Sequence, residues 1–521
     1  MLFWKSSLTS KSFKSYSMKK RYLKLLILSA PTYFASATHI PQKPNIIFIL
    51  ADDMGYGDVS ALNEKSKIKT PHLDKMASEG ITFTDAHSSS SVSTPSRYSL
   101  LTGRYNWRST LKEGVLWSYS KALIPEGRTT MASMLRQQGY TTACIGKWHL
   151  GWNWANIEAG EENVDFSKPI THGPTTVGFD YFYGIIASLD IPPYVYVEND
   201  MPTSSNIQMV EGDSDFRFWR KGLAADDFSH EDCLPNFTRR AVKYIEEKSK
   251  AKQPFFLYFP LPAPHTPILP TKEFQGKSGL NPYGDFVLMT DDVVGQIIST
   301  LEKQGILENT IVVFTTDNGC SPMAHIDELV EMGHNPSYIY RGHKADLYDG
   351  GHRIPTFLQW KGTYTPHQVN QTICLSDFMA TFANLTGYKI DQNEAEDSYN
   401  LLPALSNPDY KQEIREATVH HSIDGDFTIR QGKWKLLLAP GSGGWSYPRP
   451  GKEPADSPKV QLYNMETDPS EQNSLQSKFP DKVEELTKLL IKYVEEGRST
   501  PGKPQKNDGE YPWRQLTWME E

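Results

Sequence analysis

Cysteine is scarce: Cys144, Cys233, Cys320 and Cys374 are the only four in 521 residues. They lack metal-site spacing and are too few to staple a chain of this length, and sequence leaves open whether they pair after export. Positive charge is also in short supply, with 54 Lys and Arg against 62 Asp and Glu and a net charge of −8. That balance gives no support for nucleic-acid binding, so any cationic site must be a local feature of a mildly acidic surface. Long apolar runs are missing too. The nearest candidate, residues 23–28, follows Met18-Lys19-Lys20-Arg21 and precedes Ala35-Ser36-Ala37. That is the basic, apolar and small-residue order of an export signal, with cleavage expected after Ala37 and a more conventional signal if translation begins at Met18. It is too short and interrupted for a membrane span, so no stable membrane insertion is expected. No internal repeat is evident. With 38% hydrophobic and 22% charged residues, the remainder has an ordinary globular composition and material for a large core.

Four short apolar runs stand out, and each leads into polar residues. Asn45 to Ala51 ends at Asp52-Asp53, and Tyr140 to Gly146 ends at Lys147-Trp148-His149. Phe255 to Leu261 leads to Pro264-His265, and Ile311 to Thr316 ends at Asp317-Asn318-Gly319. Nearly continuous hydrophobicity with β-branched and aromatic residues is the pattern of parallel strands buried on both faces. Helical segments fall between them, at 130–138 and at about 285–303 with Phe286, Met289, Val293, Ile297 and Leu301 on one side. Strands alternating with helices predict an α/β fold around a large, mostly parallel sheet. Ligands of such sheets bind beyond the carboxyl ends of the strands, so these polar groups should converge.

Asp52, Asp53, Asp317 and Asn318 offer oxygen donors without thiolate or imidazole, which suits a hard cation and disfavours zinc. Calcium fits irregular, higher coordination best, with magnesium second.

The stretch Ser93-Thr94-Pro95-Ser96-Arg97-Tyr98-Ser99-Leu100-Leu101-Thr102-Gly103-Arg104 resembles the signature of the sulfatase family in its serine form. The runs Asp52 to Asp58 and Asp317-Asn318-Gly319 resemble the family's metal motifs, and Ser93 joins their ligand set by that resemblance. The resemblance extends from about Pro44 over nearly all of the remaining chain. It implies an alkaline-phosphatase-like sheet and a sulfate ester hydrolase whose Ser93 is oxidised to formylglycine (3-oxoalanine) by a maturation enzyme. A plain serine would be left as a stable alkyl sulfate after attack. An aldehyde hydrate releases sulfate through its second hydroxyl, dividing one barrier into two.

By the same resemblance, Arg97 holds the nucleophile, Lys147 and Lys344 grip sulfate oxygens, and Asp317 accepts a proton during attack. His265 protonates the departing alcohol and His149 takes the proton from the second hydroxyl. Several fixed cations are needed because an unpaired anion is costly in a dry pocket. Asp349 stands where many relatives carry glutamate, a change that keeps the carboxylate.

Three parts are expected: 1–37 as extension and signal, 44–411 as catalytic domain, and 412–521 as a smaller α+β subdomain. In the last, runs at 418–421, 427–430 and 434–438 suggest short antiparallel strands, and 480–496 an amphipathic helix. A serine-type signature, matured in bacteria by a radical enzyme, favours a periplasmic setting. The substrate class implied is a sulfated carbohydrate, cleaved in exo fashion. His172 and Asp190 are substrate-binding candidates, with His420, Trp445, the run Asp190 to Tyr196 and the cluster Phe216, Phe218 and Trp219 as further glycan-facing groups. Two other readings stay open on sequence alone: a phosphomonoester or phosphonate ester hydrolase, and a glycan binder whose Ser93 is never oxidised.

Overall fold

The four apolar runs form the centre of a ten-stranded sheet in the computed structural model, which describes residues 43–519. The extension and signal expected at 1–37 lie outside the described residues. Strands Thr310–Thr316, Asn45–Ala51, Phe255–Pro260, Thr141–Lys147 and Tyr181–Ile185 lie side by side and parallel. Their register aligns Ala51 with Thr316 and Leu50 with Pro260, which brings their carboxyl ends to one edge. Short strands complete both flanks. On one side lie Thr356–Gln359, antiparallel to its neighbours, then Ile81–Phe83 and His367–Val369; on the other lie Val197–Glu198 and Met201–Pro202.

The continuous hydrophobicity of the central strands follows from burial on both sides. Ile46, Phe48 and Leu50 point into one core, where Phe48 meets Phe378 edge to face with centroids 5.1 Å apart. Ile47, Ile49 and Ala51 point into the other, against Phe286, Val294 and Ile297 of the helix Pro282–Lys303. That helix begins three residues earlier than the apolar pattern indicates. Asn281 caps it, its side chain accepting from the Tyr283 amide at 3.1 Å, and Pro282 takes the first position, where no amide donor is needed. The helix expected at 130–138 spans Met131–Gln137, with Thr130 as its cap.

The carboxyl-terminal strands Thr418–His421, Phe427–Gln431 and Trp434–Leu437 pair antiparallel in sequence order, joined by a fourth, Gln461–Asn464. The helix Pro480–Glu495 lays Leu486, Leu490 and Val494 on this sheet together with Trp107 from the first part of the chain. Polar contacts tie this part to the first, with Arg104 paired to Asp508 at 2.7 Å and Arg108 Nη1 donating to the Tyr493 carbonyl at 2.8 Å. From Lys43 onward the chain is one compact unit. All four cysteines are buried and unpaired. Among the described residues no helix is long and apolar enough to cross a membrane.

Phe48→Ala, which removes an aromatic from the fully buried central strand, is expected to lower unfolding stability by about 3–5 kcal/mol, read from a chemical denaturation curve.

Candidate active site

Ser93 is the first residue of the helix Ser93–Thr102, which closes on Gly103 in the left-handed conformation at φ 63°. The cap position is Val92, so Ser93 does not cap the helix, and its hydroxyl stands at the amino-terminal end, where the helix dipole favours negative charge. The serines before it are not a solvated loop. Ser88 to Ser91 are fully buried, with Ser88 donating to the Ser90 carbonyl and Ser89 to Ser99 Oγ, both at 2.6 Å. Strand Thr418–His421 supports the same loop, since the Ser91 amide donates to the His421 carbonyl at 3.0 Å.

Around Ser93 the strand ends deliver the charged residues. Arg97 Nε donates to Ser93 Oγ at 2.7 Å and to Asp317 Oδ2 at 3.1 Å, while Nη2 donates to the same carboxylate oxygen at 2.7 Å. Lys147 Nζ donates to Asp52 Oδ2 at 2.5 Å and Lys344 Nζ to Asp53 Oδ2 at 2.7 Å. His265 Nε2 lies 3.6 Å from Asp53 Oδ2. Asn318 Nδ2 donates to Asp53 Oδ1 at 2.7 Å. Asp53 turns out of its strand at φ 63° and His149 at φ 55°, left-handed conformations that are strained for residues with a side chain. Gly146 sits at φ 135°, where a Cβ would fall 1.9 Å from the Pro260 carbonyl, so only glycine lets the strands approach this closely before Lys147.

Three carboxylates, Asp52, Asp53 and Asp317, and three cations, Arg97, Lys147 and Lys344, are thus buried together. Burial opposes ionisation of Asp52, but Lys147, His265 and Arg97 outweigh it and keep its pKa below the ordinary value. Burial likewise opposes charge on Arg97, and Asp317 and Asp52 outweigh that, holding its pKa above normal. For His149 burial dominates, and Lys147 and Arg97 add to it, so its pKa is pushed well below the usual histidine value and the ring is neutral. Its tautomer follows from its partners. Nε2 lies 2.9 Å from the Leu116 carbonyl and must carry the hydrogen, which leaves the lone pair of Nδ1 facing Ser93 Oγ at 3.1 Å. His149 is therefore the acceptor within direct reach of Ser93, whereas Asp317 connects to it through Arg97.

Two buried oxygens in this cluster, Asp52 Oδ1 and Asn318 Oδ1, have no hydrogen-bond partner. Orphaned buried acceptors beside further carboxylates fit a hard cation. One ligand atom each from Asp52, Asp53 and His265 also lie within 4.8 Å of one another.

The Sulfatase family model matches residues 44–388 of this chain. The chain belongs to the sulfatase family. This sulfatase is 34% identical over 502 residues to the N-acetylgalactosamine-6-O-sulfatase of Bacteroides thetaiotaomicron, covering 86% of this chain and 93% of that one. The mouse N-acetylgalactosamine-6-sulfatase is 28% identical, with 93% and 91% covered. Among solved structures, one from work on the metabolism of multiple glycosaminoglycans by B. thetaiotaomicron superimposes with a TM-score of 0.74 at 32% identity, over 86% of this chain and 99% of that one. The fold of the sulfatase is therefore alkaline-phosphatase-like, and its activity is that of a sulfuric ester hydrolase.

Other candidates fall elsewhere. Asp58, at the end of the Asp52 run, receives Tyr283 Oη at 2.5 Å and the Gly55 amide at 2.7 Å and shapes the turn. Asp349 pairs with Lys435 and Arg353. His172 is exposed in a loop, and its ring bonds Asn153 and Thr171 rather than the charged cluster. His420 is fully buried beneath the Ser88 carbonyl, too deep to meet a glycan. It shares a group with His87 and His352, but the His352 and His420 rings stack nearly parallel, with centroids 3.9 Å apart. In-plane lone pairs of stacked rings do not converge, so this trio is packing. Tyr194 and Tyr196 are also core residues, packed on Phe228. Trp445 is half-buried, and its amide is fixed by Asp346 Oδ1 at 2.8 Å, two residues from Lys344. Asp190 is buried and paired with Arg220. The Leu116 carbonyl that sets the His149 tautomer has no signature in sequence, because a backbone group carries none.

Arg97→Gln leaves Asp317 and Asp52 buried without their shared cation, and is expected to cost about 3–5 kcal/mol of unfolding free energy, measured by denaturant titration.

Proposed function

We propose that this sulfatase removes the 6-O-sulfate from N-acetylgalactosamine-type residues of sulfated glycans in exo fashion, with formylglycine at position 93 and a bound calcium ion. The carrying observation is the grip on Ser93 Oγ, held by Arg97 Nε at 2.7 Å and faced by His149 Nδ1 at 3.1 Å, beside the orphaned oxygens of Asp52 and Asn318. The named activities of the bacterial and mouse relatives support the sugar and the sulfate position. The signal-like residues 18–37 support export, with the periplasm as the proposed site of action.

Asp52, Asp53, Asp317, Asn318 and the oxygen at position 93 would hold the calcium. When bound, it supplies positive charge against sulfate oxygens as negative charge develops on them. The aldehyde hydrate at position 93 supplies a second hydroxyl, so sulfate leaves by carbon–oxygen rather than sulfur–oxygen cleavage. The other roles fall to the chain's own side chains. Arg97 fixes the attacking oxygen and offsets its charge. Neutral His149 takes a proton at Nδ1, its orientation fixed by the Leu116 carbonyl. Lys147 and Lys344, held by Asp52 and Asp53 respectively, grip the sulfate oxygens. His265 directs Nδ1 at the Thr266 carbonyl, so it is the imidazolium form, with its second hydrogen on Nε2, that protonates the departing sugar oxygen and is left as the neutral ring.

The deciding experiment is a desulfation screen of defined sugar sulfates with natively matured protein, run beside the matching phosphate esters. The peptide containing residue 93 is expected to be lighter than its serine form by two hydrogens, and sulfate but not phosphate is expected to be released. Ser93→Ala is expected to lower turnover at least roughly 10³-fold with unfolding unchanged; full activity in that variant would refute the nucleophile assignment. His265→Ala should cost about 10²–10⁴-fold on a sugar sulfate and far less on a nitrophenyl sulfate, whose leaving group needs no proton. Equal losses on both would exclude His265 as the acid.

A further inference from the structure

Two arms anchored on the catalytic residues meet at a cation that the reaction does not use. Leu116 ties the first arm, its amide donating to Thr94 Oγ1 at 3.2 Å and its carbonyl receiving His149 Nε2. The next residue, Trp117, is 52% exposed. The second arm is tied where the Ile268 amide, three residues past His265, donates to the Phe216 carbonyl at 2.7 Å. Between them stands Arg220, its guanidinium carbon 5.1 Å from the ring centroids of both Trp117 and Phe218. Its Nη1 donates to Asp190 Oδ2 at 2.5 Å and to the Asp190 carbonyl at 3.0 Å. No hydrogen bond within the described residues engages Nε or Nη2, and the side chain is 40% exposed.

An ordinary surface ion pair would leave both partners loose in solvent. Here the carboxylate is buried and its Oδ1 has no partner, and the guanidinium lies against two rings, its carbon 5.1 Å from each centroid. A flat, pre-oriented guanidinium edge matches the paired oxygens of a carboxylate or a sulfate. Trp117, 52% exposed, is a surface for a sugar ring.

We infer that Arg220, which lies against Trp117 and Phe218 on the two arms tied beside His149 and His265, binds a second anionic group of the substrate, a carboxylate or a further sulfate. The enzyme then selects doubly acidic glycan fragments over singly sulfated neutral ones. This rests on the sulfated-glycan reading above and adds a charge requirement to it.

The test compares kcat/KM of matured wild type, Arg220→Gln and Arg220→Lys on three substrates. These are N-acetylgalactosamine 6-sulfate, its disaccharide with a uronic acid, and the 4,6-disulfated monosaccharide. Wild type is expected to prefer one or both acidic substrates, and Arg220→Gln to lower that preference at least about tenfold, the loss of one charge-assisted contact. The loss should fall on KM and shrink as salt rises, and Arg220→Lys should retain part of the preference. A loss confined to the uronate or to the disulfate supports the site and identifies its anion. A preference equal in wild type and Arg220→Gln for both acidic substrates overturns it. Turnover of none of the three would instead refute the sulfated-glycan reading. In that case calorimetric titration of Ser93→Ala and Ser93→Ala/Arg220→Gln with the uronate disaccharide decides the inference, and equal Kd values overturn it.

Discussion

Three carboxylates buried against three fixed cations constrain everything else at the catalytic end of the sheet. Asp52, Asp53 and Asp317 would each be costly to bury alone, and so would Arg97, Lys147 and Lys344. Together they are mutually satisfied, and the arrangement is poised for exchange. Lys147 and Lys344 are held by Asp52 and Asp53, while Asp52 Oδ1 and Asn318 Oδ1 stay without a hydrogen-bond partner, donors of the kind that suit a divalent ion. A site built this way is pre-organised for sulfate without exposing unpaired charge beforehand.

The array depends on strand ends being level. Parallel pairing with Ala51 beside Thr316 brings Asp52, Asp53, Asp317 and Asn318 to one line, and the same edge supplies Lys147 and His265 from neighbouring strands. The helix that begins at Ser93 then enters from the side, and Arg97, one turn along it, reaches back to its own first residue and across to Asp317. The small carboxyl-terminal sheet contributes by support. Its first strand holds the buried serine loop in front of Ser93, and the loop carrying Trp445 is fastened next to Lys344.

Much of this was legible in the residues alone. Strands covered on both faces must be apolar at every position, so four runs could be picked out to within a residue at each end, and polar groups at their ends had to converge. Ser93, Arg97, Lys147, His149, His265 and Lys344 lie around Asp52, Asp53 and Asp317. The flanking strands were missed because two to four residues leave too little periodic pattern. The start of the helix at Pro282 was missed because its cap, Asn281, precedes the apolar stripe.

The residue order thus settled which chemistry is present and which sheet carries it, since burial on both faces and a dense local signature are properties of short contiguous segments. What it left undecided were the roles of residues in irregular segments. His420 and Tyr196 proved to be buried packing, His172 an exposed loop residue, and Arg220 the partner of buried Asp190. In such segments nothing repeats along the chain to mark a buried face. Only the packing of distant segments against one another determines whether a side chain meets solvent, core or substrate, just as it brought the Leu116 carbonyl to His149.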